Sequence, residues 1–307
     1  MRILYLGTPE IAVAPLELLA AAGHEIVGVV TQPDRPAGRK RALTPPPVKL
    51  AAERLGLKVL QPETLKDAAV VEELRALAPE VGVVAAYGEI LRRNVLEIPP
   101  LGYLNIHPSL LPLYRGPAPV LGALMAGDDL VGVSIIRLTA RMDAGPILAQ
   151  ATQRLPAGAR AGALTAELMR QGGELLVQAL PAYAAGQLSP HEQDESAATY
   201  TQLLSKADGS IDWSKPAIII ERMTRAYDPW PGASSQAGDQ PLKILGAAVR
   251  PGWRGDAAPG TLLDVDGAVW VATGSGALEL IEVQPAGKKP MPAADWRRGA
   301  RELHRLG

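Results

Sequence analysis

The feature that most restricts the fold of this chain is an alternation of short apolar runs with amphipathic segments in its first half. The apolar runs have the length and composition of strands, and the segments between them have helical periodicity. Strands are predicted at residues 3–6, 26–30, 58–60 and 81–85, and helices at 11–22, 48–55 and 70–78. Strands that are apolar throughout are buried on both faces. The pattern therefore predicts a Rossmann-like, mostly parallel sheet that is covered by helices.

The pattern changes after a predicted helix at 161–185 and a polar, acidic segment at 189–196. Short strands separated by turns are predicted at 242–249, 261–265, 268–272 and 277–283. Asp266-Gly267 and Gly274-Ser275-Gly276 are hairpin signals, which favour a small β-barrel of the OB-like kind. The predicted fold class is thus α/β followed by a barrel. The predicted boundaries are 1–188 for the first domain, 189–206 for a linker and 207–307 for the second domain.

Composition excludes several kinds of chemistry. The 307 residues suit two domains, and the formal net charge of −1 gives no global sign of a nucleic-acid or membrane partner. The absence of cysteine excludes thiolate nucleophiles, cysteine-ligated zinc and disulfides, so catalysis must use oxygen and nitrogen groups. Gly7-Thr8-Pro9 interrupts the first apolar run before it reaches the length of a signal sequence or a membrane span. We therefore expect a cytoplasmic protein.

Two common nucleotide-binding motifs are absent. The turn Gly7-Thr8-Pro9 follows the first strand as a nucleotide-binding turn would, but the chain contains neither G-x-G-x-x-G nor G-x-x-x-x-G-K-[ST]. NAD- and ATP-dependent functions are disfavoured.

Three polar side chains predict a catalytic site. His107 follows a strand predicted at 103–106, and Asn105, two residues earlier in extended chain, points to the same side. Asp143 follows a strand predicted at 133–138 and its turn. An amide and an imidazole can stabilise an oxyanion, while a carboxylate can orient the imidazole and collect a proton. The trio predicts acyl or formyl transfer to an amine without a metal. A packed histidine and a turn aspartate that caps backbone groups are the structural alternatives.

Basic residues form two local clusters. The first is in the long loop 34–43, which begins at the carboxyl end of a predicted strand and so places its cations at the rim of the predicted site. The second is in the segment 285–307, which has six basic and two acidic residues. Most such clusters are solvated surface, but phosphate contact is the alternative. The candidate residues are Arg35, Arg39, Lys40 and Arg41 in the first cluster, and Lys288 and Lys289 in the second.

The stretch Asn105-Ile106-His107-Pro108-Ser109-Leu110-Leu111-Pro112, followed by Tyr114-Arg115-Gly116, resembles the signature of folate-dependent formyltransferases. The resemblance implies that Asn105, His107 and Asp143 are the catalytic residues. It also implies 10-formyltetrahydrofolate as the formyl donor and no metal. The folate pocket that the resemblance implies comprises Ser109, Leu110, Leu111 and Pro112, together with the turn Ala86, Tyr87 and Gly88.

Within that family, residues 31–39 resemble the loop of those members that formylate methionyl-tRNA, and the likeness continues at 211–213, 225–231 and 280–289. The resemblance implies transfer of the formyl group to the α-amine of initiator methionyl-tRNA, by direct amine attack through a tetrahedral intermediate. The protein would then act in translation initiation. Under this hypothesis the two basic clusters contact tRNA, and we expect a monomer without a protein partner or a membrane.

Two other functions remain open at this stage. Transfer to an amino-sugar nucleotide would use the same trio and the same two-domain size, but it leaves the basic loop unexplained. A folate- or RNA-binding module without catalysis would require at least one of Asn105, His107 and Asp143 to be missing or misplaced.

Overall fold

A computed structural model describes residues 1–38 and 42–307 of the chain. The chain divides into two compact units. The first comprises Met1–Pro119, Leu130–Arg154 and Thr165–Thr201, and the second comprises Val120–Asp129, Leu155–Leu164 and Gln202–Gly307. The domain boundaries at 188 and 207 stay a prediction.

A twisted sheet forms the centre of the first unit. The strands in this half of the chain are β1 (Arg2–Gly7), β2 (Glu25–Val30), β3 (Arg35–Ala37), β4 (Ala42–Thr44), β5 (Val59–Leu60), β6 (Val81–Ala85), β7 (Tyr103–His107), β8 (Leu130–Arg137) and β9 (Ile147–Arg154). Seven of them make one sheet in the order β5-β2-β1-β6-β7-β8-β9, and β3 pairs with β4 in a separate hairpin. All neighbours from β5 to β7 are parallel, whereas β8 and β9 are antiparallel additions. The prediction of a Rossmann-like, mostly parallel sheet is confirmed.

Helices cover both faces of this sheet. Alternate residues of β1 point to opposite sides, and since they are apolar, both faces must be covered. The helices in this half of the chain are α1 (Val13–Ala21), α2 (Pro47–Arg54), α3 (Ala68–Ala76), α4 (Arg93–Leu96), α5 (Pro119–Ala126) and α6 (Ala161–Ala184). Ile3 and Tyr5 share one buried cluster with Leu16 of α1 and Leu176 of α6. On the opposite face, Leu4 packs in a cluster with residues of α3.

An antiparallel sheet forms the second unit. Its elements are α7 (Ala217–Ala226), β10 (Ser234–Ala237), β11 (Gln240–Arg250), β12 (Leu262–Val265), β13 (Ala268–Ala272), β14 (Ala277–Pro285), β15 (Met291–Pro292) and α8 (Ala293–Arg298). The strand order is β10-β11-β14-β13-β12, and β15 pairs with β14. The two edges are bridged by residues close to the carboxyl end, since Leu306 pairs with Ala237 and Arg305 pairs with Thr261. The prediction of a small OB-like barrel is confirmed.

Strand β9 was not predicted from the sequence, for a physical reason. It lies at one edge of the first sheet, and its exposed residues alternate with less exposed ones, so it lacks the continuous apolar run of an interior strand. In residues 1–38 and 42–307, no helix combines the length and the apolar character that crossing a bilayer requires.

Candidate active site

Two of the three predicted catalytic residues are on β7, the strand at which pairing in the sheet changes from parallel to antiparallel. This strand pairs in parallel with β6 and antiparallel with β8. Asn105 and His107 are at the carboxyl end of β7, and His107 is opposite Ser134 of β8. In open α/β sheets, ligands bind beyond the carboxyl ends of the parallel strands, and β7 is the last strand of the parallel part of this sheet. The topology therefore places both side chains where a substrate is expected.

The two ring nitrogens of His107 have different partners. The side chain is buried, with the residue 4% exposed. Its Nε2 is 3.0 Å from the carbonyl oxygen of Tyr114, and its Nδ1 is 3.8 Å from Oδ2 of Asp143. Because a carbonyl only accepts hydrogen bonds, Nε2 must carry a proton and donate it to Tyr114. Nδ1 is therefore the ring nitrogen that is left for chemistry beside the carboxylate.

Asp143 is in the turn between β8 and β9, in a left-handed backbone conformation with φ +48°. Its Oδ2 accepts a hydrogen bond of 2.8 Å from the backbone amide of Gly116. The 3.8 Å separation from His107 is within ion-pair range but exceeds a hydrogen bond. The structure thus brings the predicted imidazole and carboxylate together, while their catalytic roles stay predictions.

A cavity of about 200 Å³ adjoins this pair, and both Asn105 and Asp143 line it. Most of its wall is apolar side chain and turn backbone, which suits one flat ring system with polar edges. Glu89 is held in the wall, where its carboxylate accepts hydrogen bonds from Thr64 Oγ1 and from the amide of Leu65. The remaining lining residues are Val84, Ile90, Leu91, Leu96, Leu138, Thr139, Ala140, Arg141 and Met142.

The seven residues predicted to hold folate are adjacent to this region in sequence but are not among those that line the cavity. Their main chain is well anchored: Ser134 Oγ donates to the carbonyl of Ser109 and accepts from the amide of Leu111. Tyr87 is buried, and its carbonyl accepts from Thr8 Oγ1. A folate-binding role for Ser109, Leu110, Leu111, Pro112, Ala86, Tyr87 and Gly88 stays a prediction.

Sequence patterns identified Asn105 and Asp143 but missed the other residues that line the cavity. Residues 89–91 follow the carboxyl end of β6, and residues 138–142 follow the carboxyl end of β8. The rule that ligands bind beyond the carboxyl ends of parallel strands could have identified the first segment but not the second, because β8 runs antiparallel to β7. No side-chain pattern identifies the carbonyl of Tyr114 or the amide of Gly116, because those contacts are made by the main chain.

Of the first basic cluster, the structure describes Arg35, in the hairpin of β3 and β4. Arg35 is exposed on β3 and forms a 3.3 Å ion pair with Glu63. At the base of the hairpin, Asp34 accepts hydrogen bonds from Gln61 at 2.7 Å and from Lys49 at 2.9 Å, and these bonds lower the pKa of the Asp34 carboxyl. The other predicted tRNA contacts of this cluster, at Arg39, Lys40 and Arg41, lie outside the described residues.

The second basic cluster lies in the second unit. Lys288 and Lys289 are exposed in the turn after β14. In this turn the amide of Lys288 donates to the carbonyl of Pro285, and Gln284 Nε2 donates to the carbonyl of Lys288, while the amide of Ala286 donates to the carbonyl of Pro241 in β11. Elsewhere in the part of the chain that the structure describes, no three histidine, aspartate or glutamate side chains are grouped as metal ligands would be.

Comparison with known proteins defines the class to which this fold and site belong. The family described as "Formyl transferase" matches residues 1–180, and the family described as "Formyl transferase, C-terminal domain" matches residues 203–301. The chain belongs to the formyl transferase family.

Individual proteins of known name or structure are also similar to this chain. A methionyl-tRNA formyltransferase of Herpetosiphon aurantiacus is 72% identical over 306 residues, which cover 100% of both chains. A methionyl-tRNA formyltransferase of Chloroflexus aurantiacus is 65% identical over 301 residues, which cover 97% of each. A solved N-formyltransferase of Helicobacter canadensis, in complex with folinic acid and dTDP-3-aminofucose, matches with a TM-score of 0.68 at 16% identity, covering 92% of this chain and 98% of that one. At that identity the structural match supports the fold alone.

Proposed function

We propose that this chain transfers the formyl group of 10-formyltetrahydrofolate to the α-amine of initiator methionyl-tRNA. The observation that carries the proposal is the pairing of His107 Nδ1 with Asp143 Oδ2 at 3.8 Å, beside a cavity that Asn105 also lines. Family membership supplies the reaction class. Relatives that are 72% and 65% identical and carry the name of a methionyl-tRNA formyltransferase support the choice of acceptor.

The cavity suits the bicyclic head of a folate. Leu91, Leu96 and Leu138 offer apolar surface to a flat ring, and Glu89 offers a carboxylate to the amino edge of that ring. Burying a heteroaromatic ring against leucine side chains is favourable, and polar groups at the edge fix its direction. In this arrangement the formyl carbon lies near Asn105 and His107.

The first step is attack of the methionyl nitrogen on the formyl carbon, which moves an electron pair onto the formyl oxygen. The carboxamide N–H of Asn105 and a protonated Nδ1 of His107 stabilise that oxygen. The carboxylate of Asp143 lies beside this nitrogen, with Oδ2 at 3.8 Å from Nδ1. Tyr114 keeps the ring oriented by accepting the Nε2 proton.

The second step transfers one proton. Asp143 accepts it from the attacking amine, directly or through water, and returns it to the folate nitrogen as the bond from that nitrogen to the formyl carbon breaks. The products are the formylated amine and tetrahydrofolate, and the carboxylate of Asp143 is regenerated. Neither a metal nor a covalent enzyme intermediate is needed.

Basic side chains of both units supply the proposed contacts to tRNA phosphates. They are Arg35, Arg39, Lys40 and Arg41 of the segment 34–43 and Lys288 and Lys289 of the second unit. The exposure of Arg35, Lys288 and Lys289 suits contact with a polyanion. We extend the proposal to a monomeric enzyme of the cytoplasm, where its substrate is used to initiate translation. The mass in solution, measured by light scattering, tests whether the chain is a monomer.

The acceptor is tested by incubating the purified chain with 10-formyltetrahydrofolate that carries a labelled formyl group. Parallel reactions contain initiator methionyl-tRNA, elongator methionyl-tRNA or dTDP-3-aminofucose. We expect label on the initiator tRNA alone. Label on the amino sugar, with none on either tRNA, would overturn the proposed acceptor and favour the amino-sugar alternative. Label on none of the three would contradict the proposed function.

A further inference from the structure

Residues 191–201 are hydrogen-bonded into the first unit beside the turn that carries Asp143. The backbone of His191 exchanges hydrogen bonds with Ile147 of β9, at 2.8 and 2.9 Å. The backbone of Arg115 donates to Thr199 and accepts from Thr201, at 2.9 and 2.8 Å. The segment therefore has a fixed course past the residues that hold Asp143.

Gln193 has the most direct contact with the turn of Asp143. It is 8% exposed, and its Nε2 donates to the carbonyl of Asp143 at 2.8 Å and to the carbonyl of Gly145 at 2.7 Å. Its Oε1 accepts from the Nε and Nη2 of Arg115 at 3.0 and 2.8 Å. Since carbonyls only accept and a guanidinium only donates, the amide can adopt only this orientation.

Arg115 fixes the position of that amide. Its side chain is 0% exposed, and five hydrogen bonds satisfy the guanidinium: two to Gln193, two to Glu195 and one to the hydroxyl of Tyr200. The Tyr200 ring is 5.7 Å from the guanidinium carbon, which adds a cation–π contact. A guanidinium has five N–H donors in a rigid plane, so this arrangement leaves it no other orientation.

The turn requires such support because its backbone is unusual. Asp143 is a non-glycine residue at φ +48°, a conformation that persists only where the surroundings stabilise it. Two residues later, a Cβ on Gly145 would be 1.8 Å from the carbonyl oxygen of Arg137, so only glycine fits there. Gln193 joins the carbonyls on both sides of this constraint. The main chain of Asp143 is thereby fixed, and with it the direction of the carboxylate.

We propose that Gln193, oriented by Arg115, is a positioning residue that sets the direction of the Asp143 carboxylate towards His107. Its Nε2 contacts main-chain carbonyls and its Oε1 contacts Arg115, so it touches no reacting atom. The inference rests on the proposed catalytic role of Asp143.

The test is Gln193→Glu, which keeps the side-chain volume and an acceptor for Arg115. It replaces the donor nitrogen by an oxygen that faces two carbonyls. We expect kcat to fall by about 10- to 100-fold, because a small displacement of a catalytic group has effects of that order. KM for the formyl donor and for the tRNA should stay within about twofold, because Gln193 binds neither substrate.

Gln171→Glu is the matched control. Gln171 also donates two hydrogen bonds through Nε2, to Gln153 and Glu167, but neither partner is in the turn of Asp143. The same substitution should leave kcat unchanged. Melting temperatures of both variants and of the wild-type chain establish that the folded protein is being compared.

A double-mutant cycle with Asp143→Asn separates positioning from a general structural role. If Gln193 acts through Asp143, Gln193→Glu should lower kcat by less than about twofold in the Asp143→Asn background. An equal loss in both backgrounds, or a wild-type kcat for a folded Gln193→Glu chain, would overturn the inference. Should Gln193→Glu not fold, Gln193→Met provides the same comparison without an added charge. Failure of both to fold would assign Gln193 to stability and likewise refute it.

The Asp143→Asn arm distinguishes the inference from the function on which it rests. A wild-type kcat for Asp143→Asn would refute the catalytic role of Asp143 and the inference with it. A large loss for Asp143→Asn, together with no loss for Gln193→Glu, would refute the inference alone.

Discussion

Two turns of the molecule carry predicted functional side chains, and they are stabilised in different ways. The turn of Asp143 in the first unit is held by side chains and amides distant in sequence, including the amide of Gly116 and the carboxamide of Gln193. The turn of Lys288 in the second unit is held by main-chain bonds to Pro241 and Pro285 and by Gln284, and its lysines extend into solvent. The difference suits their proposed tasks: proton transfer needs a fixed atom, whereas attraction of phosphates needs charge at an approximate distance.

The largest effect is expected from removing the charge in the fixed turn. Asp143→Asn keeps an acceptor for the amide of Gly116 but cannot collect a proton from the attacking amine. We expect kcat to fall by about 10²- to 10⁴-fold in steady-state formylation of initiator methionyl-tRNA.

Asp266→Asn is a matched control for this prediction. Asp266 also has φ +48°, but it is exposed in the turn between β12 and β13. Its substitution should leave kcat unchanged, because asparagine tolerates the same backbone conformation. An Asp143→Asn chain with kcat within about twofold of wild type would break the comparison between the two turns.

Asn105→Ala sharpens the comparison by testing a fixed side chain outside the turn. The substitution removes a proposed donor to the oxyanion, and we expect kcat to fall by about 10²- to 10³-fold. Asn94→Ala, at an exposed position of α4, is the control and should have wild-type kinetics. Equal kinetics for the two variants would remove Asn105 from the proposed mechanism.

The exposed turn predicts a different kinetic signature. Replacing Lys288 and Lys289 by alanine should raise KM for tRNA and leave kcat unchanged. Each phosphate that a lysine no longer neutralises should reduce the slope of log affinity against log salt by roughly 0.7–0.9. Measurements of KM between low and moderate salt test this expectation.

Lys58→Ala is the control for the lysine pair, since its ammonium is paired with Glu73 at 3.1 Å in the first unit. It should not change the salt dependence. A fall in kcat for the double variant, with KM constant, would show that this turn acts in chemistry rather than in attraction.

The smallest effect is expected from removing the charge of Glu195, an effect on thermal stability. Hydrogen bonds from Arg115 and then Arg141 lower the pKa of Glu195 from its usual 4.5 to about 2. Because the folded pKa is the lower one, this interaction stabilises the fold fully above the usual value and is lost as pH falls from 4.5 towards 2. Glu195→Gln should therefore lower Tm by a few degrees at neutral pH. The difference from wild type should shrink below pH 4.5. A difference that is constant with pH would contradict this origin.

Local patterns predicted much of the fold for a reason that is visible in β1 and β6. Both strands are apolar and buried along nearly their whole length, so their burial is evident from neighbouring residues in the sequence. The same holds for Asn105 and His107, whose spacing on one strand places them together. The meeting of His107 with Asp143 is not local, because the two residues follow different strands, and the structure has the two groups side by side.

The contacts that hold the site were not predictable from local patterns. Glu195 belongs to an acidic, polar segment that suits a solvated linker, and its partner Arg115 is 80 positions earlier. A buried guanidinium in the signature requires acceptors, but nothing in the sequence states which residues supply them. Pairings over such separations depend on the course of the whole chain, which periodicity does not encode.

The burial of Arg115 has a consequence for the order of events during synthesis. A nascent chain that has emerged as far as the end of α6 already contains Asn105, His107 and Asp143. It still lacks Gln193, Glu195 and Tyr200, and until these dock, the guanidinium has no acceptors with which to leave water. The hydrogen bonds around the turn of Asp143 therefore cannot all form until residues up to 201 have left the ribosome.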